Sequence, residues 1–178
     1  TAAQRYADQD AAAPQSDAPE LPAPAAAPLP ALAYCRPTTL EGCLAHVRGD
    51  TTAVVADLAA RSGLIERIAG LAAYQHARSP YQSDAAAPLP DGMARLFTAL
   101  PAHALAHVQG NSALALDGLC RDMGSARMLA SQTDSLVVAM VGSRWLQANG
   151  QLLADVLAEL PADQTLPARC EMALQPLD

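Results

Sequence analysis

The chain has 178 residues, is 51% apolar but only 3% aromatic, and carries a net charge of −7 with an isoelectric point near 4.9. That length supports one domain with a real core, while the acidic balance excludes a general nucleic-acid or anionic-membrane binder, which needs a basic footprint to displace counterions. No apolar run approaches the ~20 residues of a membrane helix.

Residues 1–34 read as a disordered, proline- and alanine-rich tether. The stretch PELPAPAAAPLPALA cannot bury enough apolar surface to offset its ordering entropy, and proline stiffens it towards polyproline II. Pro19, Pro22 and Pro24 loosely suggest a PxxP docking ligand, but no nearby arginine or lysine supports that alternative. The chain begins at Thr1, not methionine, which leaves room for a signal peptide or an N-terminal anchor ahead of it.

The folded domain is expected over residues 35–178. Thr38 and Glu41 form a capping box for a short helix ending near Arg48. Asp50 or Thr51 caps the next, whose apolar stripe is Val54, Val55, Leu58, Ile65, Ile68, Leu71 and Ala72, with Ser62–Gly63 kinking or dividing it. Residues 76–92 form a long loop with three prolines, either functional or simply mobile. Residues 93–100 make a short helix with Leu96, Phe97 and Leu100 inward, and Pro101 opens another that stops at Gly110.

Two long helices are expected over residues 112–160, folding back near 132–134. Ser112 would cap the first, with Leu116, Leu119, Cys120, Met123 and Ala130 on one face. Thr133 or Asp134 would cap the second, whose stripe is Val137, Met140, Val141, Trp145, Ala148, Leu152, Val156 and Leu160, with a break at Asn149–Gly150. SLVVAMV (135–141) could instead be a buried strand, but its stripe continues too far for one. Residues after Leu160 read as mostly extended. The sequence thus predicts an all-α fold, a single bundle of six or seven helices.

Four cysteines allow three pairings. None forms a CxxC, so zinc-finger chemistry is not indicated. Cys35 and Cys43 flank a short turn and Cys170 lies in a tail that needs tying down, which favours Cys35–Cys43 with Cys120–Cys170 over four free thiols. Two disulfides imply an oxidising compartment, most simply the periplasm.

From Cys43 onward the stretches AVVADLAARSGLIERIAGLAAY, GMARLFTALPAHALAHVQGN, LDGLCRDMGSARMLASQTDSLVVAMV and LLADVLAEL resemble a family of uncharacterised proteobacterial proteins, usually membrane-anchored with a periplasmic helical domain. The resemblance implies location and fold but no activity. At Gly63 and Gly124 the chain departs from the family pattern, where a better helix former would be expected.

Candidate chemistry is sparse. His103 and His107 sit four residues apart, as a zinc-binding pair would, but Ala104 replaces the glutamate of a zincin and nothing close in sequence offers a third ligand, Asp117 and Cys120 being the nearest. Two surface histidines are the plainer reading. GNSAL, MGSAR and VGSRW do not complete GxSxG. Arg127 and Arg144, with Arg95, could line a small-anion or lipid-headgroup pocket; the alternative is that their heads reach water or nearby aspartates. A constellation built from distant residues would not show in one sequence. The expected role is non-catalytic: a periplasmic interaction or scaffold domain without cofactors, presenting a helical surface to a protein partner in the envelope.

Overall fold

A computed structural model of the chain describes residue 35 and residues 42–78 and 92–176. The chain divides into Thr1–Ala31 and Leu32–Asp178, and every described residue belongs to the second unit. The tether, the Thr38–Glu41 capping box and most of the 76–92 loop lie outside the described residues.

The described part is all-helical, as the periodicity predicts. Its α-helices are α1 (Cys43–Gly49), α2 (Thr51–Ala60), α3 (Ser62–Gly70), α4 (Leu100–Val108), α5 (Ser112–Ser131), α6 (Leu136–Ala158) and α7 (Arg169–Ala173), with 3-10 segments at Leu71–Ala73 and Met93–Ala99. Gly42 precedes α1 at φ 80°, a left-handed value that glycine adopts without a Cβ penalty. Asp50 caps α2 by accepting the Ala53 N–H at 3.1 Å, one of the two expected caps. The division expected near Ser62–Gly63 falls at Arg61, between α2 and α3. No helix among the described residues is long and apolar enough to cross a membrane.

The antiparallel pair α5–α6 is the spine. Leu116, Leu119, Cys120 and Met123 from one helix, and Trp145, Ala148, Leu152 and Val156 from the other, are buried in one core. Close approach is set by Gly142, where an added Cβ would lie 2.6 Å from the Ala130 backbone nitrogen. Gly142→Ala should therefore cost about 2 kcal/mol, because backbone cannot give way as a side-chain tip can. Gly150 has open space around it, so Gly150→Ala should stabilise by about 0.5–1 kcal/mol through helix propensity. Chemical denaturation of the two variants checks the opposite signs.

Several local expectations are corrected. Helix α6 runs unbroken through Asn149–Gly150: Asn149 is fully buried and its amide donates to the Trp145 carbonyl at 2.9 Å, so packing holds the helix where propensity disfavours it. The Asn149 Oδ1 and Trp145 Nε1 atoms have no hydrogen-bond partner among the described residues. Asn111, not Ser112, caps α5, accepting the Leu114 N–H; Ser135, not Thr133 or Asp134, caps α6. Met140 and Val55 are exposed despite their stripes. The tail after Leu160 contains α7, anchored by a disulfide that sequence periodicity over five residues could not reveal.

Both expected disulfides are present. Cys35–Cys43 closes a short loop at the start of α1, and Cys120–Cys170 pins α7 against the middle of α5. Among the described residues no cysteine is free.

Candidate functional site

The groove that α7 makes with α5 follows directly from the second disulfide. Bonding Cys120 to Cys170 brings together their chain neighbours Arg121 and Arg169, and Arg127 lies on the same side of α5. With Ala72, Tyr74, Gly124, Ser125, Met172 and Ala173 they line a cavity of about 370 Å³. Three arginines thus line one concavity on a chain whose net charge is −7.

Each arginine is held differently. Arg169 pairs with Asp117 through Nε at 2.8 Å, both side chains well exposed. Arg127 donates from both terminal nitrogens, to the carbonyls of Gln175 and Pro176, the latter at 2.8 Å. Carbonyls satisfy donors but carry no net charge, so these contacts orient the guanidinium without neutralising it.

Arg121 is fixed from behind. Its Nε and Nη2 donate to Asp122 Oδ1 at 2.9 and 2.8 Å. Asp122 is fully buried, and its other oxygen, Oδ2, meets His103 Nε2 at 2.8 Å. A buried carboxylate is costly unless paired and bonded, and here both oxygens are engaged. The His103 ring lies against Gly118, where an added Cβ would stand 2.4 Å from Cε1. This chain of contacts runs from α4 through the core to a groove arginine.

His107 belongs to a second network. The α4–α5 turn closes with the Asn111 N–H on the Ala106 carbonyl and the Gly110 N–H on the His107 carbonyl, both at 2.8 Å, with Gly110 at φ 84°. That tight turn sets Ser112 beside His107, whose Nδ1 meets the Ser112 hydroxyl at 2.9 Å while Nε2 meets Glu159 Oε2 at 2.9 Å. Glu159 is also held by both terminal nitrogens of Arg48. The network joins α1, α4, α5 and the end of α6. Two bonds from the Arg48 guanidinium, and then the His107 ring, hold the Glu159 carboxyl down at about 2 from its ordinary 4.5. A lowered folded-state value means its stabilisation is complete above about pH 4.5 and is lost as pH falls towards 2. Glu159→Gln should flatten the stability–pH profile in that window; urea midpoints across pH 2–6 check this.

Both histidines are buried, not on the surface. Asp117 and Cys120, the nearest candidates for a third metal ligand, are committed to Arg169 and to the disulfide. No group of three metal-ligating side chains is found among the described residues.

Of the proposed anion-site arginines, Arg127 lines the cavity, whereas Arg144 and Arg95 do not. Arg144 is exposed on α6 and donates to Gln147; Arg95 is exposed in the 3-10 segment before α4. Sequence reading missed Arg121 and Arg169, and weighed Asp122 only as a partner for Arg127 or Arg144, whereas it bonds Arg121 and His103. The available clue was adjacency: each of these arginines neighbours a half-cystine, so the favoured pairing already placed them together.

No protein-family model, curated protein or solved structure matches this chain.

Proposed function

We propose that this chain is a non-catalytic binding domain of the cell envelope, working outside the cytoplasm, and that its working site is the α5–α7 groove, which takes an anion. The observation that carries this is Arg127, which lines the groove and whose guanidinium is held by two backbone carbonyls and so keeps its charge, with Arg121 and Arg169 beside it paired to Asp122 and Asp117. Planar guanidinium forks match the oxygen geometry of carboxylate and phosphate. Two disulfides fit an oxidising compartment, most simply the periplasm, and the tether expected before residue 35 would give the domain reach from a membrane. Calorimetric titration with inorganic phosphate at low salt tests the reading: binding is expected, and Arg127→Gln should weaken it at least threefold. Equal, salt-insensitive heats for both proteins would contradict it.

A second reading, docking of an envelope protein on the helical surface, is favoured by Leu136 and Met140. They stand one turn apart at the start of α6, 77% and 64% exposed. Cross-linking in native envelopes that is unchanged by the double Leu136→Gln, Met140→Gln variant would remove it.

A further inference from the structure

The groove is larger and less uniformly polar than a lone oxyanion requires. Its volume of about 370 Å³ falls in the range of small-molecule sites. Beside the arginines stand Tyr74 and Met172, whose apolar bodies are 65% and 70% exposed. Large apolar side chains left open next to oriented cations are an amphipathic arrangement, one part suited to a charge and the other to hydrocarbon.

Gly124 supplies a separate observation. It lies in the interior of α5, where glycine costs about 1 kcal/mol relative to alanine, and nothing stands within 4 Å of where its Cβ would be. Gly63 and Gly150 have the same open space, so what sets Gly124 apart is its position. It lines the groove, and any side chain there would project into that space. The orientation of Arg121 by the buried Asp122, itself bonded to His103, is a third feature of the groove.

Resting on the anion-binding reading above, we infer that the groove holds an anionic amphiphile. A single phosphate or carboxylate head lies on Arg127 and Arg121, and a short apolar tail lies over Gly124 against Tyr74 and Met172. The head chemistry is shared by a lipid-derived monoester, a fatty acid and free phosphate; the tail is what separates them. Each methylene taken from water adds about 0.8 kcal/mol, so two or three buried methylenes give ten- to hundredfold tighter binding than the head alone.

The test compares octyl phosphate, octanoate, inorganic phosphate and octanol by calorimetry against the intact oxidised protein, all below micelle-forming concentrations. Octyl phosphate is expected to bind at least tenfold tighter than inorganic phosphate, with octanoate also tighter and octanol without measurable binding. Arg127→Gln should weaken every anion. Gly124→Leu, which fills the tail space without meeting a neighbour, should abolish the advantage of octyl over inorganic phosphate while preserving or raising the unfolding midpoint. Equal affinities for octyl and inorganic phosphate, or an undiminished advantage in Gly124→Leu, would overturn the amphiphile and leave the anion site standing. Binding by none of the anions would overturn both.

Discussion

Cys170→Ala is expected to destabilise the domain by about 4 kcal/mol. The Cys120–Cys170 bond spans a sequence separation of 50, and restricting a loop of that size in the unfolded chain is worth roughly that much on the chain-entropy account. The loss has a specific structural form. Helix α7 has five residues, far too few to be stable alone, and beyond the disulfide its ties include the Arg169–Asp117 pair and the Arg127 bonds to Gln175 and Pro176. Removing the sulfur bridge should free α7 from α5 before the bundle melts, so the groove disappears while most of the helical signal remains. Denaturation of oxidised wild type, Cys170→Ala and reduced wild type checks this by far-ultraviolet circular dichroism. Equal midpoints in all three would show that α7 is held by other means.

Asp122→Ala is expected to cost about 3 kcal/mol, the lower end of what breaking a buried ion pair costs. The carboxylate is fully buried and serves two partners, His103 on α4 and Arg121 on α5. Truncation strands both. His103 is 7% exposed and, pressed over Gly118, has little room to turn towards water. Arg121 is only partly buried and can swing outward, which is why the cost stays at the lower end. Asp122→Asn preserves shape and some of the bonding, so it should lose no more than half as much. Urea denaturation at neutral pH separates the two; an Asp122→Ala protein as stable as wild type would mean that the pair contributes nothing net.

Much of the fold was legible because its determinants are local. Apolar spacing located α5 and α6, Asp50 marked the start of α2, and Pro101 the opening of α4. What failed were positions where tertiary packing overrides propensity. Asn149 and Gly150 look like a stop but are carried through by burial and by the bond to the Trp145 carbonyl. Met140 fits the stripe yet is exposed, because the first turns of α6 stand at the margin of the core. Helix α7 is invisible to periodicity, since five residues hold little more than one turn.

The site was half legible for a related reason. Arg127 was among the arginines expected at an anion pocket and does line the groove, but Arg144 was expected beside it. In the bundle Arg144 turns outward, and the space beside Arg127 is closed by α7 instead. Asp122 and His103 meet across 19 positions, and no spacing rule relates residues on different helices. The disulfide did relate Arg121 and Arg169, since Cys120 and Cys170 each sit next to one of them.

The most direct test of the arginine groove is an amide chemical-shift titration of the isotopically labelled, oxidised protein with octyl phosphate. The account predicts saturable shifts concentrated at Ala72, Tyr74, Arg121, Gly124, Arg127, Arg169 and Met172, all following one binding isotherm. Shifts centred on Leu136 and Met140 with the groove amides silent, or no saturable shift at all, would contradict it.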